Sequence, residues 1–317
     1  MRKVVLLLAA VCCLAASAHA QYPVKPIRLI VPFAPGGPSD LLGRIVGQKL
    51  AEAWGQQVVI ENRTGANGIV GVELAARSPP DGHTLVMGTN GTHGINAALF
   101  SKLPYDTIKD FAPIARFGVA PYVLVAHPSL PVRSAKDLIQ LAKARPGDIA
   151  CGYGGSPTQL SIELFKCMAR IDLLPVPYKG NAPAVTAVLS GQVSLVFGGI
   201  AHSASQIAAG KLRAIGVTSM RRSPALPQVP TIHESGLPGF EVATWYGMLA
   251  PGATPRAVVE RLNAEVVRIL QSPEVRDRLL GQAFEVPADT PDQFAAIIKT
   301  ELARWAKVVK ATGARGG

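Results

Sequence analysis

The sequence predicts an α/β protein built from two similar lobes that face each other. Over residues 28–88, short apolar runs typical of buried strands alternate with segments of helical periodicity. This β-α-β-α-β order indicates a parallel sheet covered by helices. A glycine loop lies where the first strand meets its helix, and a similar loop recurs near residue 154. Because this organisation is repeated, we expect a second α/β unit that resembles the first.

Residues 1–20 have the features of an export signal. Arg2 and Lys3 precede an apolar run over residues 4–16, and Ala18-His19-Ala20 has the small residues of a cleavage site. The apolar run is too short to span a bilayer. We therefore expect cleavage after Ala20 and a periplasmic mature chain. Lipidation at Cys12 or Cys13 is the alternative, and Val11 fits the lipoprotein pattern poorly.

The composition argues against nucleic-acid binding and against a disulfide framework. The formal net charge is +11, but the basic residues are scattered and no run of them is interleaved with aromatic residues. Of the four cysteines, only Cys151 and Cys167 lie outside the export signal. An export compartment permits one bridge between them. Two buried thiols are the alternative.

The apolar periodicity predicts where the chain passes between the lobes. The first lobe is expected over residues 21–122, the second over 123–243, and the chain returns to the first over 244–317. Two such crossings predict a hinge of two or more strands. We expect strands over residues 28–31, 58–60, 84–88, 111–116, 122–126, 149–153, 173–178, 193–199 and 212–218. We expect helices over 41–54, 69–77, 135–144, 157 onwards, 185–190, 254–270, 273–280 and 291–312. Ser134 precedes the third of these helices as its cap, with Asp137 at capping-box distance.

The loop over residues 32–40 is the strongest candidate for a binding site. Gly36 and Gly37 allow a tight turn that leaves the first N–H groups of the next helix free. These donors and the helix dipole suit a carboxylate or a phosphate. The loop contains no Lys, Arg, His or Cys, so it is suited to hold an anion and not to react with it. A structural βα turn is the alternative, and Asp40 can pair with Arg44 or cap backbone N–H groups.

The loop over residues 89–96 also follows a strand, so it should lie beside the first loop at the same sheet edge. His93 in this loop could be a catalytic base, but no nucleophile with a recognisable partner accompanies it. A structural or ligand-facing histidine fits better.

Recognisable catalytic and cofactor motifs are absent from the sequence. Gly152 and Gly154 match a dinucleotide fingerprint, but Pro157 occupies the third glycine position. Ser156 lacks the glycine that follows a nucleophile elbow, and Gly210-Lys211 lacks the Ser or Thr of a P-loop. No zinc-ligand spacing occurs. We therefore predict no metal, no cofactor and no catalytic residue, which favours a binding protein.

Many ordered motifs of this sequence resemble those of one known family. They are Tyr22-Pro23, VPFAPGG over 31–37 with Asp40 and Arg44, Asn62-Arg63 with GANG over 65–68, PDGHTL over 80–85, VPYKG over 176–180, VTS over 217–219, VPT over 229–231, and WYG over 245–247. The chain resembles the periplasmic solute receptors of tripartite tricarboxylate transporters, often called Bug receptors. This resemblance extends over nearly the whole mature chain.

The resemblance implies a type II periplasmic-binding-protein fold, with two α/β lobes, a hinge and a ligand cleft between them. It implies that a small organic acid is held by backbone and hydroxyl donors of strand-end loops from both lobes. The ligand-binding residues implied in this sequence are Phe33, Ala34, Gly37, Ser39, Asp40, Asn90, Thr92, His93, Gly154, Gly155, Ser156, Thr158, Gly180, Ala182 and Phe197. The sequence departs from many relatives over residues 153–158, which leaves the identity of the acid open.

The resemblance further implies partners and a role. A monomeric receptor would deliver its acid to the membrane components of the transporter, without binding nucleic acid or acting as an enzyme. Two alternatives stay open at the level of sequence. One is an exported α/β enzyme that acts on an acidic substrate with His93 as general base, and the other is a receptor that serves a signalling partner.

Overall fold

Two mixed sheets share one long strand. The structure, a computed structural model, describes residues 22–315, so the export signal with its cleavage site and Cys12 and Cys13 lies outside the described residues. The strands of the first sheet lie in the order β2 (Val58–Asn62), β1 (Ile27–Val31), β3 (Thr84–Thr89), β9 (Ala243–Pro251) and β4 (Phe111–Ala126). Those of the second lie in the order β8 (Arg213–Val217), β4, β7 (Leu195–Gly199), β5 (Ala150–Tyr153) and β6 (Leu174–Pro177). We call the first sheet with its helices lobe 1 and the second with its helices lobe 2.

Lobe 1 begins with the parallel strands that the sequence predicts. Strand β1 (Ile27–Val31) pairs in parallel with both β2 (Val58–Asn62) and β3 (Thr84–Thr89). The helices are α1 (Pro38–Trp54), α2 (Ile69–Ala76) after a 3₁₀ turn (Ala66–Gly68), and the short α3 (Asn96–Leu99) after a π-helical turn (Gly91–Ile95). Since β1, β2 and β3 are parallel, their carboxyl ends share one edge of the sheet.

Strand β4 (Phe111–Ala126) runs through both lobes. Residues 111–121 pair with β9, and residues 122–126 pair with β7 and β8. The prediction of two separate strands over residues 111–116 and 122–126 is wrong, because one strand continues through Gly118 and Pro121. Pro121 lies where β4 exchanges its partners, and the next residue, Tyr122, donates its N–H to Thr218 Oγ1 at 2.8 Å.

Lobe 2 repeats the strand-turn-helix organisation. Its elements are α4 (Ala135–Ala144), β5 (Ala150–Tyr153), α5 (Ser156–Ala169), β6 (Leu174–Pro177), α6 (Asn181–Leu189), β7 (Leu195–Gly199), α7 (Ile200–Ala208) and β8 (Arg213–Val217). Strand β5 is parallel to both β6 and β7, so these three strands also end at one edge. Helix α7 was not predicted, although Ile200, Ala204 and Ile207 stand at helical spacing and pack in the core of lobe 2. The predicted cap of α4 is confirmed, since Ser134 Oγ accepts the Asp137 N–H.

The chain then returns to lobe 1. Strand β9 (Ala243–Pro251) joins β3 to β4, and α8 (Arg256–Gln271), α9 (Pro273–Gly281) and α10 (Pro291–Thr312) follow. The lobes are thus joined by β4 and by the chain that enters β9. None of the helices within residues 22–315 combines the length and apolarity that a membrane span requires.

Helix α10 contributes to the cores of both lobes. Phe294 and Ile298 near its start pack with Trp245 in lobe 1, whereas Trp305 near its end packs in the cluster that contains Leu160 and Phe165 of lobe 2. All three side chains on α10 are buried. The helix therefore braces the junction between the lobes.

The two cysteines lie on the predicted elements but form no disulfide. Cys151 lies on β5 and Cys167 on α5, and both thiols are free. The bridge that the compartment would permit is absent, and the alternative of two buried thiols is correct for Cys151 only, since Cys167 is exposed.

Candidate functional site

The turn between β1 and α1 presents the start of a helix without a side-chain cap. Gly37 precedes the helix in an extended conformation, with Pro38 at the first helical position. Gly36 has φ +83°, which favours glycine, and it brings the loop around to the helix. A Cβ on Gly37 would meet only the Ala34 carbonyl oxygen, at 3.6 Å. The space before α1 is therefore open on the side of Gly37.

Asp40 is held by its own loop. Its carboxylate accepts hydrogen bonds from the Gly36 N–H at 3.0 Å, Arg44 Nε at 2.9 Å and Asn62 Nδ2 at 3.0 Å. Burial raises the pKa of this carboxyl, but the bonds from Arg44, Gly36 and Asn62 outweigh that effect and lower the pKa below its usual value. The predicted pairing with Arg44 and the predicted capping role are both confirmed. Asp40 thus shapes the turn, and Arg44 compensates its charge.

The loop after β3 is built around buried polar side chains. Thr92 Oγ1 accepts the Thr89 N–H at 2.9 Å and lies 2.9 Å from His93 Nδ1. The His93 ring is fully buried and packs edge-on against Phe111 at 4.7 Å between ring centroids. Burial lowers the pKa of His93 to about 3. A buried, neutral imidazole in the core of lobe 1 fits a structural or ligand-facing histidine better than a catalytic base.

In lobe 2, the turns after β5 and β6 touch through their backbones. A Cβ on Gly154 would lie 2.1 Å from the Gly180 carbonyl carbon and 2.2 Å from the Asn181 nitrogen. Only glycine permits this approach. The Gly154 N–H is bound by Thr158 Oγ1 at 3.0 Å, and that hydroxyl donates to the Gly155 carbonyl at 3.0 Å. The starts of α5 and α6 are therefore fixed side by side.

Asn181 ties the start of α6 to the end of β7. Its Nδ2 donates to the Phe197 carbonyl at 2.9 Å, and its Oδ1 accepts the Gly199 N–H at 2.7 Å. The Phe197 ring points the other way, into a buried aromatic cluster with Phe165 and Phe240. Only the backbone of Phe197 can therefore take part in a site at this sheet edge.

Several amides at the helix starts have no partner within the protein. Within residues 22–315, eight backbone N–H groups at the helix starts donate no hydrogen bond to another protein group: those of Gly37, Ser39 and Asp40 at α1, Gly155, Ser156 and Thr158 at α5, and Asn181 and Ala182 at α6. Orphan donors of this kind are the usual feature of a helix N-terminus. Their positive potential suits an anion.

The lobes meet beside these turns. Ser156 Oγ donates to Asn96 Oδ1 at 2.8 Å, and a Cβ on Gly91 would lie 3.1 Å from Pro157 Cγ. The turn after β3 in lobe 1 therefore lies against the start of α5 in lobe 2. This contact brings the strand-end loops of both lobes together.

The implied binding residues fall into two groups by exposure. Phe33, Ala34, Gly37, Gly154, Gly155, Gly180 and Ala182 are exposed or half-buried, whereas Ser39, Asp40, Asn90, Thr92, His93, Ser156, Thr158 and Phe197 are buried. All of them except Phe197, which lies within β7, lie in the strand-end loops or the first turns after them. Their contact with a ligand stays a prediction.

Three asparagines that were not predicted as site residues position these loops. Asn62 binds the Phe33 carbonyl and Asp40, Asn96 binds Ser156, and Asn181 binds Phe197 and Gly199. The signal available in the sequence was an asparagine at the end of a strand, as at Asn62, or at the start of the helix that follows a strand-end loop, as at Asn96 and Asn181. Within the described residues 22–315, no group of three or more His, Cys, Asp or Glu side chains could hold a metal ion.

The chain is similar to known solute receptors. The family model described as "Tripartite tricarboxylate transporter family receptor" matches residues 42–314. BugT of Bordetella pertussis is 36% identical over 297 residues, with 93% of this chain and 91% of BugT covered.

Two solved structures share the fold closely. The R. palustris protein solved with adipate has a TM-score of 0.87 and 36% identity, with 92% of this chain and 98% of that one covered. MatC from Rhodopseudomonas palustris with bound malate has a TM-score of 0.84 and 35% identity, with 91% of this chain and 100% of that one covered. These similarities match the two-lobed architecture described above.

Proposed function

We propose that this chain, which belongs to the tripartite tricarboxylate transporter receptor family, captures a small organic carboxylate in the periplasm and delivers it to the membrane components of such a transporter. The family is one of receptors and not of enzymes, so the alternative of an enzyme with His93 as general base is wrong. Relatives solved with adipate and with malate support a carboxylate as the ligand class.

The observation that carries this proposal is the set of free amides at the starts of α1, α5 and α6. These donors belong to two lobes and are not consumed by the protein's own carbonyls. A carboxylate accepts several hydrogen bonds and carries the charge that helix N-termini favour. Backbone amides do not react with it, so capture is reversible, as delivery requires.

The energetics of such a site are sufficient for a receptor. A hydrogen bond to a charged group contributes roughly 1.5 to 3 kcal/mol. Micromolar affinity corresponds to about 8 kcal/mol. A few amides of the lobe 1 turn, joined by those of lobe 2, reach this range after the cost of ordering the ligand.

In this proposal the lobes divide near residues 122 and 243, with residues 21–122 and 244–317 in lobe 1 and 123–243 in lobe 2. The chain acts as a monomer whose export signal is removed after Ala20. Ligand binds to the strand-end turns of both lobes, and β4 and the start of β9 serve as the hinge. The two crossings seen between the sheets support this division.

Calorimetry on the mature chain tests the proposal. The probes are adipate, malate, succinate, hexanoate and the neutral adipamide. We expect at least one carboxylate to bind reversibly, with no conversion detectable by mass spectrometry and no binding of adipamide. If no carboxylate in a wider panel binds, or if product accumulates, the proposed role is wrong.

Gly37→Leu locates the site. Gly37 has ordinary backbone angles and open space, so the variant should fold but fill the space before the free amides of α1. Gly281→Leu is the matched control, because Gly281 also has open space around it but ends α9. We expect Gly37→Leu to abolish binding and Gly281→Leu to retain it.

Uptake by cells that carry the transporter, with and without the receptor, tests delivery.

A further inference from the structure

A buried asparagine connects three loops from both lobes. Asn96 is fully buried, its Nδ2 donates to the Asn67 carbonyl at 3.1 Å, and its Oδ1 accepts from Ser156 Oγ at 2.8 Å. The orientation of the amide is therefore determined, since a flipped amide would place oxygen against the Asn67 carbonyl. Asn67 follows β2 and Asn96 follows β3 in lobe 1, whereas Ser156 begins α5 in lobe 2.

The lobe 1 loop that Asn96 holds supports residues of the candidate site. Ala66, Asn67 and Gly68 all have positive φ, an arrangement that needs support from outside the loop. A Cβ on Gly68 would lie 2.8 Å from Thr92 Cγ2 and 3.3 Å from the Phe33 ring. The loop is thus packed directly against the turn before α1 and the turn after β3. A shift of the loop at the Asn67 carbonyl would therefore displace Phe33.

The lobe 2 partner lies at the other set of donors. Ser156 is the first residue of α5, whose opening amides are free, and its hydroxyl is buried and engaged by Asn96. The contact adjoins a shared buried core, since Ile95 and Leu99 of lobe 1 belong to the same apolar cluster as Leu160 of α5. A hydrogen bond enclosed in this way has no water to replace it if it breaks.

We propose that Asn96 is a positioning residue that sets the distance between the donor turns of the two lobes, and that the Ser156 hydroxyl fastens the lobes and does not contact the ligand. Asn96 holds the loop behind Phe33 with one end of its amide and the start of α5 with the other. The ligand then meets donors of both lobes at a fixed spacing. The effect of Asn96 on ligand affinity rests on the proposed function, whereas the hydrogen bond by which Asn96 and Ser156 join the lobes does not.

A double-mutant cycle tests the coupling. The variants are Asn96→Ala, Ser156→Ala and the double variant, titrated with the tightest carboxylate found for the wild type. We expect each single change to weaken binding by about tenfold, and the double change to weaken it little further. Ser161→Ala is the matched control, because Ser161 lies on the same helix, is fully buried and donates one hydrogen bond to the Pro157 carbonyl, away from Asn96. Its affinity should stay within about twofold of the wild type.

A distance measurement without ligand tests the fastening directly. Spin labels are placed by Gln48→Cys on α1 and Thr186→Cys on α6, both exposed, in a Cys167→Ser background. We expect Ser156→Ala to broaden the distribution of distances between the lobes relative to Ser161→Ala. Ser156→Ala alone decides the matter if Asn96→Ala does not fold.

The outcomes separate the two proposals. If Ser156→Ala and Ser161→Ala give the same distance distribution, or if the Asn96 and Ser156 losses add, Ser156 acts on the ligand directly and the positioning role is wrong. If the wild type binds no carboxylate, the proposed function fails, but the distance distributions still test the fastening.

Discussion

Replacing Gly154 with alanine should separate the two donor turns of lobe 2. The added Cβ would lie 2.1 Å from the Gly180 carbonyl carbon and 2.3 Å from its oxygen. Comfortable contact between such atoms needs roughly 3.5 Å, so the turns must move apart by about 1 Å or more. Overpacking of this kind costs about 1–3 kcal/mol of folding free energy. The obstacle is backbone, which cannot rotate away as a side chain can.

Urea unfolding and calorimetry with the tightest carboxylate measure the two effects of Gly154→Ala. We expect lower stability together with an affinity loss of at least about tenfold, since the opening amides of α5 and α6 no longer converge. Gly152→Ala is the control, because Gly152 lies two residues earlier, on β5, and its Cβ would meet only side-chain atoms, at 3.3 Å or more. Wild-type stability and affinity in Gly154→Ala would show that the contact between the turns is not required.

Three further predictions concern single side chains. Burial lowers the pKa of His93 to about 3, so below pH ~6.5 the unfolded chain binds a proton that the folded chain does not bind. This residue alone should therefore lower the free energy of unfolding by roughly 1.4 kcal/mol per pH unit as the pH falls from 6 to 4. Urea unfolding of His93→Gln should show that part of the slope removed, and an unchanged slope would contradict the assignment. Asp40→Asn should lower the free energy of unfolding at pH 7 by about 1–2 kcal/mol, because Arg44 and the Gly36 N–H lose a charged acceptor. An unchanged free energy in urea unfolding would mean that the turn does not depend on these two hydrogen bonds. A thiol reagent should modify Cys167 in the native mature chain and Cys151 only after unfolding, as mass spectrometry of the labelled peptides can show, and rapid native labelling of Cys151 would contradict its burial.

Local chemistry made much of the fold predictable. The strand-turn-helix units carry their glycines and prolines at the positions that the turns require, as at Gly37 and Pro38. Helix α10 has the predicted bounds because Thr290 and Gln293 form a capping box and Gly313 ends the helix with φ +67°. Signals of this kind lie within a few residues of one another, so the sequence alone displays them.

The features that could not be predicted depend on partners distant in sequence. In the sequence, Pro121 indicates the end of a strand. In the structure, β4 continues through Pro121 and changes its pairing partners there. His93 is enclosed by Phe111 and Trp245, which belong to β4 and β9. The contact of Asn96 with Ser156 spans sixty residues. Periodicity places each residue on an element, but it does not indicate which loop of the other lobe lies opposite.

In the proposed function, different groups hold the acid and select among acids. Its proposed donors are backbone amides, which every sequence possesses. Gly36, Gly154 and Asn181 orient these amides, together with the Asp40 carboxylate that binds the Gly36 N–H. Changes at these positions alter the orientation of the amides and should weaken the binding of every carboxylate by a similar factor. Discrimination between acids must then come from side chains that border the amides, such as Phe33 and Ala182, which are not enclosed in a core. An acid preference that follows substitutions at Phe33 and Ala182, with a common loss at Gly154, is the pattern that this division of roles requires.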